Sequence, residues 1–215
     1  MSVKLIIYDL DGTLIDSSGD ITNAINYAIA PYGVPPITVG ETISMVGEGV
    51  SRLMERVIAK EGLSADKDFL VDRFVEYYSA HLIDTTTIYP GVKETLEKLN
   101  RYKKAVISNK RETLSIRILE KLDLAKFIDV IVGSDSTPER KPSPVPVQYV
   151  LSRFGVKPDE AVIVGDSNYD IDAGKAAGIR TIAVTYGYRT LDFLRGADFI
   201  IKSMPELVPI VEKLQ

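Results

Sequence analysis

Short uninterrupted apolar runs, each closing on polar or acidic residues, recur along the chain: Leu5 to Tyr8, Lys104 to Ser108, Val130 to Gly133, Ala161 to Asp166, Thr181 to Thr185 and Phe199 to Ile201. Runs of this length without polar alternation predict strands buried on both faces. From about Tyr89 onward they are separated by stretches of helical period, such as Glu112 to Leu122, where Leu114, Ile118, Leu119 and Leu122 keep one face apolar. Strand and helix alternating in this way predict an α/β fold, a parallel sheet covered on both faces by helices.

The strand at Leu5 to Tyr8 belongs with this set, yet the next does not come until Lys104. Between them Ile21, Ala24, Ile25, Ala28 and Ile29 keep helical spacing, and Val50, Leu53, Met54, Val57 and Ile58 repeat it. The expected organisation is a core of residues 1–15 and 85–215 with a helical insertion at 16–84. An insertion leaving so soon after the first strand would lie near the carboxyl edge of the sheet, where open α/β folds bind ligands, and is a candidate lid.

Composition narrows the chemistry. The 215 residues are 45% hydrophobic and 26% charged, enough for a sizeable core, with a formal net charge of −4. No cluster of five basic residues occurs, which argues against nucleic acid as the main partner. With no cysteine, disulfides, thiolate zinc sites and a thiol nucleophile are excluded. His81 is the single histidine, so a serine-histidine-aspartate triad or a multi-histidine metal site has almost nothing to work with. It sits among Tyr77, Tyr78 and Leu82 in a helical pattern, as a structural or surface residue. No signal-peptide pattern or membrane span is legible, and the expectation is a cytoplasmic protein with a small-molecule partner.

Chemistry gathers at the strand ends. Asp9-Leu10-Asp11-Gly12-Thr13 follows the first apolar run, and two carboxylates spaced two apart on an extended backbone face the same way. Such a pair is unfavourable unless a cation neutralises it or one member keeps its proton, and either remedy is useful: a metal attracts phosphate, a protonated carboxyl is a general acid, an ionised one a nucleophile. Gly165-Asp166-Ser167-Asn168-Tyr169-Asp170 repeats the design after Ala161 to Val164. It fails as a calcium loop, because Ile171 and Ala177 stand where a glycine and a closing glutamate are needed. A hard cation with few protein ligands, such as magnesium, fits better, shared by Asp9 and Asp166 with Asp170 in support. Ser108-Asn109-Lys110 offers donors for a phosphoryl group, and Lys141-Pro142 offers an ammonium aimed by an extended backbone. Gly47-Glu48-Gly49-Val50-Ser51-Arg52 begins like a dinucleotide fingerprint but has Arg52 at the third glycine position, which rejects that reading.

Taken in order, these four strand-end segments resemble the four motifs of the haloacid dehalogenase superfamily. The resemblance spans the chain and implies a Rossmann-like core with a helical cap. It implies Asp9 as the nucleophile that becomes aspartyl-phosphate, and Asp11 as the group that protonates the leaving oxygen and then activates water. Thr13, Ser108 and Asn109 would orient substrate and phosphate, and Lys141 would hold nucleophile and phosphate. Asp9, Asp11 through its backbone carbonyl, and Asp166 would hold Mg2+, with Asp170 behind them. Dehalogenase members lack the second aspartate, so Asp11 points to phosphoryl transfer. Phosphoglycolate phosphatases look similar beyond the four motifs, at Gly33-Val34-Pro35-Pro36 and at Val184-Thr185-Tyr186-Gly187-Tyr188. The implied activity is a magnesium-dependent phosphatase acting on a small phosphate monoester, with phosphoglycolate first. Pyrophosphate and sugar phosphates, including mutase chemistry, are the alternatives within the family, and a phospho-accepting regulatory switch is the alternative outside it. The cap loop with Gly47, Gly49 and Arg52 would choose among substrates, and Arg52, Lys110 or Arg189 would meet a substrate carboxylate.

Overall fold

The run Leu5–Tyr8 becomes strand β1, and all four residues are buried, as a strand covered on both faces requires. The computed structural model describes residues 2–214. Two-residue β2 (Ile15–Asp16) follows, then four helices, α1 (Ser18–Ile29), α2 (Val39–Met45), α3 (Val50–Glu61) and α4 (Lys67–Ala80). After β3 (Thr87–Ile88) and α5 (Val92–Lys98) the chain alternates through β4 (Lys103–Ile107), α6 (Glu112–Lys121), β5 (Val130–Val132), α7 (Val145–Phe154), β6 (Ala161–Gly165) and α8 (Asn168–Ala176). It ends with β7 (Arg180–Val184), α9 (Leu191–Leu194), β8 (Phe199–Ile201) and α10 (Leu207–Lys213). Packing divides the chain into two units, one running to Asp16 and resuming at Ile88, the other comprising Ser17–Thr87.

The first unit is built on a parallel sheet with strand order β5-β4-β1-β6-β7-β8 among the described residues. The parallel α/β architecture expected from the apolar runs is therefore present, and each expected strand is found within a residue or so of its expected bounds. Order runs outward in both directions from β1, so a topological switch point lies there, with the crevice at the carboxyl ends. Register brings those ends level: Tyr8 pairs with Val106 of β4 and with Val164 of β6. The segments starting at Asp9, Ser108 and Asp166 consequently emerge side by side.

One face of this sheet packs Leu5, Ile7, Ala105, Ile107 and Ile163 against Val147, Val150 and Leu151 of α7 and Ala173 of α8. At about 1.5–3 kcal/mol for each large side chain taken from water, this layer outweighs any single polar contact in holding the strand ends in place. Gly174 lets α8 lie close: a Cβ there would meet Ile163 Cγ2 at 2.5 Å and Thr181 Cγ2 at 2.7 Å.

The second unit is helical, as the spacing of its apolar residues predicts. Ile21, Ala24, Ile25, Ala28 and Ile29 are buried on α1, Leu53, Met54 and Val57 on α3, and Leu70, Val71, Phe74 and Tyr78 on α4. Thr38 and Glu41 form a capping box that starts α2. Arg73 of α4 donates to the carbonyls of Tyr27 and Ala28, closing the end of α1, while stacking over the Tyr27 ring. The buried carboxylate of Asp20 accepts from the backbone N–H and hydroxyl groups of both Thr85 and Thr86, tying the start of α1 to the returning chain. His81 ends α4, stacks on Tyr77 and pairs with Asp84 at 2.7 Å, a surface arrangement as expected. Sequence pattern did not reveal β2 and β3, which pair with each other. Two residues are too few for a period to register.

Candidate active site

Asp9 directly follows β1, and its backbone N–H donates to Val164 of β6 at 2.9 Å, continuing the ladder one residue past the strand. The chain then turns sharply. Gly12, at φ 84°, donates to Ile15, and Leu14 donates back to Leu10. Only glycine takes this backbone readily, and its missing Cβ matters as much, since one there would meet Asp166 Oδ2 at 2.3 Å. The turn changes the picture drawn from strand alternation. Asp9 and Asp11 do not form a lone carboxylate pair needing a shared remedy; each has its own lysine.

Lys141 Nζ lies 2.9 Å from Asp9 Oδ1 and 2.6 Å from Asp170 Oδ1, with 2% of its side chain exposed. Its backbone carbonyl accepts from Asn109 Nδ2 at 2.9 Å, and the Lys141–Pro142 peptide bond is cis. Asp9 Oδ1 also accepts from Leu10 N–H at 2.7 Å, so the carboxylate is pinned through that oxygen and Oδ2 remains open among the described contacts. Lys110 Nζ donates to Asp11 Oδ1. Helix capping and site building coincide at Asp170. Its Oδ2 accepts from Ser167 N–H and hydroxyl in the capping box of α8, and its Oδ1 serves Lys141. Asp166 Oδ2 accepts from Tyr188 N–H at 2.6 Å, and Oδ1 from Thr13 Oγ1 at 3.4 Å. Ser108 is buried, and its Oγ accepts from Lys110 N–H at 3.1 Å.

Asp9, Asp166 and Asp170 each place a ligand oxygen within 4.8 Å of the others. Burial pushes the Asp9 carboxyl well above the usual carboxylate range, and Asp170 adds to the shift while Lys141 opposes it. Asp166 is pushed up to about 7, first by burial and then by Asp170. Burial would lower the Lys141 ammonium, but Asp170 and Asp9 outweigh it and hold it above its ordinary value. Three crowded, desolvated carboxylates, with the Lys141 ammonium bonded to two of them and the Arg189 guanidinium acting on Asp166 from further off, repel one another strongly. Their all-oxygen donor set suits a hard divalent cation. Glycines keep this cradle open. A Cβ on Gly187 would meet Asp166 Cβ at 2.3 Å and the Gly12 carbonyl at 2.4 Å, and one on Gly165 would meet Asp170 Cγ at 2.2 Å. The carboxylate group thus fits a metal site.

Among residues named from the sequence, Asp9, Asn109 and Asp170 are joined at Lys141, Thr13 bonds Asp166, which lies in the 4.8 Å cluster with Asp9 and Asp170, and Asp11 and Ser108 are joined through Lys110. Gly47, Gly49 and Arg52 belong to the helical unit. There Gly47 and Gly49 have φ of 121° and 81°, Gly49 stands at the start of α3, and Arg52 pairs with Glu55 at 2.6 Å. The sequence marks Tyr186-Gly187-Tyr188 only as a point of family likeness and gives it no chemical role. Tyr186 hydroxyl donates to the Thr13 carbonyl at 2.9 Å, Gly187 makes room for Asp166, and Tyr188 N–H binds it. The available signal was its position after the apolar run ending at Val184, a further strand end on the same edge.

Residues 6–184 match the model of the haloacid dehalogenase-like hydrolases. The chain belongs to this family. Among curated relatives of this hydrolase, a phosphoglycolate phosphatase of Chromobacterium violaceum is 38% identical over 98% of this chain and 97% of its own length. One from Aquifex aeolicus is 37% identical over the same shares. Among solved structures, a predicted phosphoglycolate phosphatase from Haemophilus somnus superposes with a TM-score of 0.92 at 31% identity, covering 98% of each chain. No helix among the described residues is long and apolar enough to cross a membrane.

Proposed function

We propose that this hydrolase is a magnesium-dependent phosphoglycolate phosphatase working through an aspartyl-phosphate on Asp9. The observation that carries the reading is the division of labour between the two aspartates. Asp9 is pinned through Oδ1 by Leu10 and Lys141 beside the metal-fitting carboxylates, while Asp11 stands on a separate lysine. Nearly full-length likeness to phosphoglycolate phosphatases supports the choice of substrate.

In the first step an oxygen of Asp9, Oδ2 by the hydrogen bonding above, forms a bond to phosphorus as the phosphorus–oxygen bond to glycolate breaks. The leaving oxygen takes a proton from Asp11. In the second, water attacks the phosphoryl group and gives its proton to Asp11, releasing inorganic phosphate and restoring the Asp9 carboxylate. Lys141 offsets the charge that builds on Asp9 and the phosphoryl oxygens, and Thr13, Ser108 and Asn109 orient the group. Asp9 and Asp166, with Asp170 in support and the Asp11 carbonyl, would hold Mg2+, which supplies Lewis-acid neutralisation of the phosphoryl oxygens when bound. The helical unit of Ser17–Thr87 takes the part of the family's cap, with Gly47, Gly49 and Arg52 as its substrate-reading residues.

The test is phosphate release with magnesium across phosphoglycolate, pyrophosphate, sugar phosphates and nucleoside monophosphates, for the native chain and Asp9→Asn. Phosphoglycolate should be preferred, and Asp9→Asn should lose at least about a thousandfold in turnover with its fold retained. Near-normal turnover in that variant would end the nucleophile assignment. One phosphate taken up per chain without release would make the protein a regulatory switch instead.

A further inference from the structure

Beyond β7 the chain leaves the regular elements. Thr185 N–H still donates to the Ile201 carbonyl at 3.0 Å, but residues 186–190 form neither strand nor helix before α9 begins at Leu191. In such a segment side-chain bonds and packing do the positioning. Tyr186 packs its ring on Tyr89, centroids 4.7 Å apart, and its hydroxyl donates to the Thr13 carbonyl at 2.9 Å. Tyr188 makes two bonds from its two ends. Its hydroxyl donates to Asp16 Oδ1 at 3.2 Å, at the end of β2, while its backbone N–H donates to Asp166 Oδ2 at 2.6 Å. One residue therefore joins two carboxylates that lie far apart in the chain.

Asp166 is one of the three carboxylates that fit a divalent cation, and a carboxylate holding a metal has to present its oxygens at a set angle. The bond from Tyr188 N–H is short and charge-assisted, so it governs how the Asp166 carboxylate is turned. A shift of this segment is passed on to Asp166, because Gly187 lies so near that a Cβ on it would meet Asp166 Cβ at 2.3 Å. Asp16 stands outside the cluster, at the last residue before the helical unit begins at Ser17.

We propose that Tyr188 is a positioning residue for the metal: its hydroxyl, held by Asp16, fixes the backbone N–H that orients Asp166, and Asp16 thereby raises the affinity for magnesium without touching the ion. The inference rests on the reading of Asp166 as a magnesium ligand.

The experiment titrates magnesium into the native chain, Tyr188→Phe, Asp16→Ala and the double variant by calorimetry, with melting curves in chelator to establish folding. Tyr188→Phe removes one oxygen and no charge. It should weaken magnesium binding about three- to tenfold, less than the roughly 10–100-fold typical of removing a group bonded directly to a metal ligand. The magnesium concentration that half-saturates phosphate release should rise by the same factor. Asp16→Ala should weaken binding too, and the double variant should lose clearly less than the product of the two single losses, because both substitutions break one hydrogen bond. Unchanged affinity in a folded Tyr188→Phe would overturn the assignment while leaving Asp166 as a magnesium ligand. Losses that multiply would overturn the link to Asp16, since the charge of Asp16 acting by itself is independent of the Tyr188 hydroxyl. A native chain that binds no magnesium would bring down this inference and the metal reading together.

Discussion

Removing the Lys141 ammonium while keeping its bulk, as Lys141→Met does, should leave Asp9 and Asp170 without the cation that pairs with both. Asp9 and Asp170 accept from it at 2.9 and 2.6 Å, and Asp166 shares their 4.8 Å cluster. Breaking a buried ion pair from one side costs about 3–5 kcal/mol. Part of that is relieved by proton uptake. The Asp166 carboxyl is already pushed up to about 7, so at neutral pH it takes a proton at a cost below about 1.4 kcal/mol. The loss should then sit near the low end, about 3 kcal/mol. At about 2–4 °C per kcal/mol for a chain of this size, melting should fall by roughly 6–12 °C.

The sign of the pH effect follows from the raised Asp9 and Asp166 carboxyls. Acids whose folded pKa is raised destabilise the native state progressively as pH climbs toward that pKa, and the variant has lost the cation that limited the rise. Its deficit should accordingly be larger at pH 8 than at pH 6. Scanning calorimetry in chelator at both pH values measures this, and adding magnesium should recover more melting temperature in the variant than in the native chain, because a divalent cation supplies the missing charge. A variant melting within about 2 °C of the native chain in chelator, at both pH values, would refute the reasoning. Turnover should also drop by about a hundredfold or more.

Two further perturbations probe the scaffold. Gly187→Ala should push Asp166 and the Gly12 turn apart, since its Cβ would meet atoms at 2.3 and 2.4 Å. The cost should be about 1–3 kcal/mol in melting, with a weaker magnesium affinity by calorimetric titration; unchanged affinity would show that Asp166 need not stay where it is. Asp20→Ala should leave the N–H and hydroxyl groups of Thr85 and Thr86 without their acceptor. A loss of about 2–4 kcal/mol is expected, read as faster amide exchange at Thr85 and Thr86, and native exchange rates there would show that the clamp does not hold the returning chain.

The strands of the parallel sheet and the helical character of 16–84 were legible in the sequence because burial leaves a one-dimensional trace. A strand covered on both faces is apolar throughout, and a helix packed on one side repeats with its own period. The acids at the strand ends were legible for a related reason: Asp9, Asp11, Asp166 and Asp170 interrupt apolar runs that otherwise have no use for charge. Resemblance to a known family then assigned roles that no single segment carries.

Which charge meets which was decided only by tertiary structure. Tyr8 lies level with Val106 and Val164, and this register sets the loops of three strands side by side. The Gly12 turn then sends Asp9 to Lys141 and Asp11 to Lys110, partners 132 and 99 positions away in the chain. No local pattern encodes such pairings, because they depend on distances closed by the sheet. The contribution of Gly187 was invisible for the same reason, since a glycine's absent side chain has meaning only beside the carboxylate it admits. From its sequence this protein is an α/β chain with acids on one edge; three-dimensional packing holds Asp9 through Oδ1 on Leu10 and Lys141 and sets Asp11 beside Lys110, because only the closed sheet brings those distant residues together.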